Sequence, residues 1–252
     1  MAIGDSTRIN TNIAAFNALH ALKQVNRTLE RSQLKLATGF RINEVADDPA
    51  GFTISKRLDA RARGLSVALD NVGTTKNVLS IAEGGLLNIQ SILITMKEKV
   101  TQAANDTLGS AERNAISTEI NELTEEINNI VAETTFNDQS LLDGTYISKS
   151  YQTGEDTTNT LLFSISTDNT ASGLGVATTN VSSRVYTASG SSVALSNVDS
   201  AIETIAETLQ DIGAKVSRLG VKESTLRIAI TNTEATKSRI LDADIAFEQL
   251  NS

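Results

Sequence analysis

The side chains suited to chemistry are few. His20 is the only histidine and the chain has no cysteine, so a proton-transfer or metal role for His20 lacks a second imidazole or thiolate to complete it. It reads as a helix-surface or partner-facing residue. Asp47 and Asp48 are adjacent carboxylates, a pairing that suits acid–base work or calcium, yet the oxygen-rich twelve-residue loop closed by glutamate is absent. Asp48 followed by Pro49 instead suits a helix N-cap with proline at the first helical position. There is no phosphate-cradling glycine loop, nucleophile elbow or zinc-protease motif. The sequence therefore predicts no catalytic residue, no cofactor, no metal site and no enzyme.

The elements that carry these residues are written in the apolar pattern. Of 252 residues 40% are apolar but only 4% aromatic, with no tryptophan, a palette of aliphatic side chains that suits helix-on-helix packing. Proline costs about 3 kcal/mol inside a helix, and Pro49 is the only one, so long helices are permitted on both sides of it. The formal charge of -8 argues against tracking phosphate backbones, and so against nucleic-acid binding. Met1 to Asn10 has neither a basic nor an apolar region of the signal-peptide kind, and no apolar run is read as long enough to span a bilayer.

Ile9, Ile13, Phe16, Leu19, Leu22, Val25 and Leu29 recur at spacings of three and four, which predicts an amphipathic helix ending near Gly39. A second helix is expected from Pro49. From Leu65 the register is sustained through Leu69, Val72, Leu79, Ala82, Leu86, Ile89, Leu93, Met96, Val100 and Ala103, broken only by Lys76. A repeat held this long is the seam of a coiled coil or long bundle helix. Gly64, Gly73, Gly84 and Gly85 lie inside it, and close backbone approach is the expected reason. Ile116, Ile120, Leu123, Ile127 and Ile130 predict another helix, antiparallel across a short connection, whose Glu119, Glu122, Glu125 and Glu126 form a solvated face. Ile202, Ile205, Leu209, Ile212, Val216, Leu219, Leu226, Ile230 and Ile240 repeat the seam, with Glu223, Thr233 and Lys237 at heptad positions between them.

Between the helices, 136–197 turns to serine, threonine, asparagine and glycine. Thr160 to Ser166 and Ser183 to Thr187 alternate as strands do, and Asp143-Gly144 reads as a turn, although the same composition also suits disorder. The predicted fold class is mainly α: an elongated antiparallel helical bundle or coiled coil with a small β-rich insertion. The expected divisions are 1–45, an inner helix with its connecting segment; 46–135, two long helices; 136–197, the surface-facing β-rich part; 198–240, a long C-terminal helix; and 241–252, the start of a further segment.

The motifs point to a family. Leu36-Ala37-Thr38-Gly39-Phe40-Arg41-Ile42-Asn43 followed by Ala46-Asp47-Asp48-Pro49-Ala50-Gly51-Phe52 is similar to the "LSSGLRIN...ADDAAG" signature of bacterial flagellins. Ile9-Asn10-Thr11-Asn12, Thr135-Phe136-Asn137 and Ser238-Arg239-Ile240-Leu241-Asp242-Ala243-Asp244 resemble further flagellin motifs. The resemblance implies a filament subunit whose terminal segments pair as an inner coiled coil, exported unfolded through the flagellar type III apparatus on an uncleaved N-terminal signal and displayed outside the cell. Its implied partners are copies of itself, an export chaperone, and the cap and hook-junction proteins; no nucleic acid and no membrane insertion are expected. Ile13, Phe16, Leu19, Leu22 and Val25 are expected to pack in the inner shell, and Arg41, Asn43, Asp47 and Asp48 to orient the connecting segment. Lys97, Arg113 and Arg239 are candidate exposed contacts to neighbouring subunits.

Two departures qualify the resemblance. Flagellins usually continue for about another helix beyond the "RIRDAD" region, whereas this sequence stops at Ser252, and the expectation is that these 252 residues alone build no normal filament. In flagellins sensed by the innate Toll-like receptor that recognises them, an arginine, a leucine one turn later and a glutamate on the next helix face the receptor. Those places fall on Thr95, Lys99 and Glu119, so weak receptor activation is expected. A hook–filament junction protein of the same terminal design and a helical export chaperone or binding module are the competing readings. Abundance in sheared flagella separates the first competitor, and a stable cytoplasmic monomer marks the second.

Overall fold

A computed structural model describes residues 12–250. Ile9 and the Ile9-Asn10-Thr11 part of the first motif lie outside the described residues, with the rest of 1–11 and with 251–252. The order is α1 (Ile13–Thr38), α2 (Pro49–Ala103), α3 (Ser110–Glu133), β1 (Thr135–Phe136), β2 (Gln139–Ser140), β3 (Tyr146–Gln152), β4 (Thr160–Ile165), a 3-10 turn at Ser182–Arg184, α4 (Ala188–Leu241) and α5 (Ile245–Leu250). The class is mainly α with two small antiparallel hairpins. The chain forms two compact units, one of residues 1–64 with 228–252 and one of residues 65–227.

In the 65–227 unit the heptad seam is the core. Leu79, Ala82, Leu86, Ile89, Leu93, Met96, Val100 and Ala103 of α2 are completely buried. Ile120 and Ile127 of α3 and Ala194, Val198, Ile205, Ile212 and Leu219 of α4 are likewise at most 1% exposed. Ion pairs give the directions. Lys76 meets Glu223 at 3.0 Å and Lys97 meets Asp199 at 2.7 Å, so an advance along α2 is a retreat along α4. Lys99 meets Glu119 at 2.6 Å, just across the short connection between α2 and α3, which makes that pair antiparallel too. At the break in the sequence pattern Thr75 takes the buried place, its hydroxyl satisfied by Asn71 O at 2.7 Å, and Lys76 turns to Glu223. An 18-residue window of α2 has a mean hydropathy of 1.4, enough by length and composition to cross a bilayer and contrary to the sequence expectation. About 39% of that window is buried inside the unit, and its buried apolar residues belong to the seam.

Only one seam glycine of those with mapped surroundings fits the expected close approach. A Cβ on Gly85 would lie 2.7 Å from Thr134 Oγ1 and 2.8 Å from Leu142 Cδ1, whereas nothing lies within 4 Å of one on Gly73 or Gly84. The reading of close approach is therefore corrected for Gly73 and Gly84. Gly84→Ala is expected to raise stability by up to about 1 kcal/mol, because alanine loses less backbone entropy in a helix. Gly85→Ala should lower stability, since Thr134 and Leu142 must move. Thermal melts of the two single variants check the opposite signs.

The insertion is folded. β1 and β2 close through Asn137 and Asp138, both at positive φ (49° and 60°), the two-residue turn geometry that matches strand twist. The Asp143-Gly144 turn is present, with Gly144 at φ 76° and Asp143 Oδ1 accepting the Thr145 N–H at 3.0 Å. Thr160–Ile165 is a strand as expected, and it pairs with Tyr146–Gln152, which carries no strand pattern in the sequence. Phe163 anchors the hairpin: it is 2% exposed, edge-on to Tyr146 and Tyr151, and covered by Lys215 of α4, whose ammonium sits 4.6 Å from the ring centre. Burial, together with the hydroxyl contact to Tyr146, pushes the Tyr151 phenol well above its ordinary value. Ser183 to Thr187 is not a strand. Val181 and Val185 are both completely buried four residues apart, a helical spacing, and a 3-10 turn lies between them. α4 then starts at Ala188, where small residues carry the seam: Ser191 and Ala194 are fully buried.

Candidate self-assembly interface

α1 begins where the Asn12 side chain accepts the Ala15 N–H at 3.1 Å, and ends at Gly39, whose φ of 74° suits glycine and whose N–H donates to Lys35 O at 2.8 Å. The apolar stripe between these caps is uncovered. Ile13 is 69% exposed, Phe16 65%, Leu19 46%, Leu22 57% and Val25 63%. Ser32 is the only buried residue of the helix. There α5 packs, tied by Lys35 to the 8% exposed Glu248 at 3.0 Å. His20 lies on the exposed surface of α1. These five large side chains form a continuous bare apolar stripe along one helix, the kind of surface that marks interaction sites.

The segment after α1 brings together the two sequence motifs that lie some 200 residues apart. Phe40 and Asp242 form an antiparallel bridge, Arg41 N donates to Leu241 O at 2.7 Å, and Ala243 N donates to Gly39 O at 2.9 Å. The Arg41 guanidinium adds a bond to Ile240 O at 2.8 Å, near the C-terminal end of α4 where carbonyls lack helical partners. Ile42 is 2% exposed beneath this crossing. Asn43 Nδ2 donates to Phe40 O at 2.9 Å, while the Asp47 carboxylate accepts the N–H groups of Glu44 (3.0 Å) and Asn43 (3.1 Å). Asp48 accepts the Gly51 N–H at 2.9 Å and caps α2, as the sequence predicts. Arg41, Asn43, Asp47 and Asp48 thus all make hydrogen bonds from one connecting segment.

Lower down the same unit Asp59 is held between Lys237 (2.9 Å) and Arg63 (3.0 Å). The amide of Glu44, then that of Asn43 and the charges of Arg31 and Lys35, hold Asp47 below the ordinary carboxylate value of 3.8; Lys237, by its hydrogen bond and charge, does the same for Asp59. A carboxyl depressed in the folded state contributes stability that is complete above its unfolded value and lost as pH falls through its folded one. The melting temperature is therefore expected to stay level from about pH 7 to pH 5 and to fall below about pH 4. Asp59→Asn should flatten part of that fall, as pH-dependent thermal melts will measure.

Of the remaining candidates, all but Arg239 lie in the 65–227 unit. Thr95 is half-buried and bonds Ser91 O at 3.1 Å. Lys99 is engaged by Glu119, so two of the three receptor-related positions neutralise each other. Lys97 pairs with Asp199 within the chain. Arg113 is a correction to the sequence reading: it is 6% exposed and donates to the carbonyls of Ala103, Asn105 (2.9 Å) and Leu108 (3.4 Å) at the end of α2, and to Val185 (3.5 Å). It is an internal cap and unavailable to a neighbouring subunit. Arg239 is exposed near the end of α4. The Glu119, Glu122, Glu125 and Glu126 face is exposed, as expected.

Comparison with known proteins adds an independent line. Residues 9–147 match the family model for the bacterial flagellin N-terminal helical region. Among curated relatives, a polar flagellin B/D of Vibrio parahaemolyticus is 38% identical over 151 residues, 60% of this chain and 40% of that protein. A flagellin D of Vibrio cholerae is 38% identical over 151 residues, again 60% of this chain and 40% of that protein. The chain thus spans about 40% of the length of the curated relatives it matches. Two solved structures share the fold. A Bacillus cereus flagellin has a TM-score of 0.54 at 22% identity, covering 62% of this chain and 88% of that one. A structure described as a flagellar hook-associated protein of Vibrio parahaemolyticus has a TM-score of 0.67 at 14% identity, covering 78% of this chain and all of that one. Since the family model spans more than half of its 252 residues, the chain belongs to the bacterial flagellin family.

Proposed function

We propose that this protein is a structural subunit of the bacterial flagellar filament, exported from the cell and assembling with copies of itself into the propeller for motility. The observation that carries this reading is the uncovered stripe of Ile13, Phe16, Leu19, Leu22 and Val25 on a well-capped helix. An apolar face of that length costs solubility in a free subunit and is useful only where other helices cover it. The inner shell of a filament provides such cover. The segment fastened by Arg41, Asn43, Asp47 and Asp48 orients that helix, and the role is non-catalytic. Export chaperone, cap and hook-junction proteins belong to the same proposal as partners. Electron microscopy of the surface filaments of the source organism, with mass identification of the subunit, tests it: this chain should be their bulk component. Finding it in only a few copies at the joint with the hook would assign it to the junction instead.

The same reading extends to innate recognition. Glu119, which the resemblance places against the receptor, is engaged by Lys99. Reporter activation through that receptor is expected to be weak, and Lys99→Leu should raise it by restoring an apolar contact and freeing Glu119. An unchanged dose–response for the variant would count against this part.

A further inference from the structure

The 65–227 unit carries a groove of about 410 Å³ between the β3–β4 hairpin and α4, lined by Thr153, Asn159, Leu161, Arg218, Val221 and Lys222 among others. Arg218 and Lys222 stand one turn apart on α4, on either side of Val221, which is 68% exposed. Among the described residues neither cation makes an ion pair. The opposite imbalance exists on α3. Glu119, Glu122, Glu125 and Glu126 are exposed, and among the described residues only Glu119 has a cationic partner, Lys99. The two patches lie at different levels of the unit: Glu119 is beside Lys99, whereas Glu223, next to Lys222, is beside Lys76. The stretch of α2 from Lys76 to Lys99 is about 35 Å long at 1.5 Å per residue, too far for the patches to neutralise each other within one chain.

We propose that the groove beside Arg218 and Lys222 receives the acidic face of α3, at Glu122, Glu125 and Glu126, from a second copy of this chain. The idea rests on the filament reading and gives one contact by which subunits would add. Because groove and acidic face are different surfaces, the contact is head-to-tail; each added copy leaves one groove and one acidic face free, so the chain of contacts propagates instead of closing as a two-fold dimer does. Subunits with a net charge of -8 repel one another at long range, so a local basic groove on an acidic molecule also selects the orientation of encounter. Val221 supplies the apolar contact that charge alone lacks at an exposed, salt-screened surface.

The test is a charge swap in cells whose chromosomal gene carries the variants. Arg218→Glu with Lys222→Glu places carboxylates in the groove opposite carboxylates, and Glu122→Lys with Glu125→Lys and Glu126→Lys places cations opposite cations. Each variant alone should lower sheared filament mass by roughly tenfold or more, while cells expressing both should recover filaments, since each partner then supplies the charge the other needs. The subunits should be exported and melt as the wild type does, because all five positions lie at the surface; should a variant fail that check, the neutral pair Arg218→Gln and Lys222→Gln gives the same reading as a partial, salt-insensitive loss. Unchanged filaments in the singly swapped strains, or loss without recovery in the mixed one, would overturn the docking while leaving the filament reading intact. Absence of wild-type filaments would remove both.

Discussion

Cells in which Phe16 and Leu22 are both replaced by aspartate are expected to export a folded subunit and to build no filament. In the subunit these side chains are 65% and 57% exposed, so their replacement removes little packing and should change folding stability by no more than about 0.5 kcal/mol. In an assembled state the same positions would lie between helices. A carboxylate buried there without a partner costs several kcal/mol, and the cost recurs in every copy. The outcome is a melting curve like that of the wild type together with loss of sheared filament protein. Normal filaments from the double variant would mean that the α1 stripe is not an assembly surface.

Arg113→Ala is expected to cost roughly 3 kcal/mol of stability in the 65–227 unit. The guanidinium is nine-tenths buried and supplies donors to the carbonyls of Ala103, Asn105 and Leu108, which close the end of α2, and to Val185 before α4. Removal leaves carbonyls unsatisfied where water has poor access, and opens the space the side chain filled. Arg113→Lys should recover part of the loss, since one ammonium cannot reach four acceptors in the plane of the fork. Denaturant melts of the three proteins measure the series. A change of less than about 0.5 kcal/mol for the alanine variant would return Arg113 to the surface role its charge suggested.

Sequence spacing revealed the long helices because aliphatic residues at intervals of three and four have no other efficient burial. Leu79 to Val100 and Ile205 to Leu219 are in the core for that reason. Where small or polar residues occupy the seam the pattern falls silent. Ser191 and Ala194 are as deeply buried as any leucine, yet Ala-Ser-Gly-Ser-Ser reads as loop, so the sequence places the start of α4 ten residues late. Thr75 buries its methyl group and returns its hydroxyl to Asn71 O, a substitution that hydropathy alone does not register. β3 escaped because Ile-Ser-Lys-Ser-Tyr-Gln offers no apolar face; the strand is held by its pairing to β4 and by the rings around Phe163.

The candidate interface was legible in a different way. The stripe on α1 is plain in the sequence, but periodicity says that a face is apolar and not what covers it; its exposure required the structure. Asp48 before Pro49 and Gly39 after the helix announce their caps through residue type. The joining of Gly39–Arg41 to Ile240–Ala243 is carried by backbone groups and one guanidinium, which leave no mark in composition. Arg113 shows the converse. An arginine near a helix start looks like a surface charge, and only the crowd of carbonyls around it reveals an internal cap.

If α1 is the assembly surface, its stripe is open in the free subunit and covered in the assembled one. A chain without native cysteine makes this directly measurable. Phe16→Cys, placed in the chromosomal gene, would be reacted with a maleimide in two samples: exported monomer and intact sheared filaments. Rapid labelling of the monomer and protection in the filament, reversed when the filaments are dissociated, is the predicted result. Equal labelling in both samples would contradict the claim, for the stripe would then face solvent in the very structure it is proposed to build.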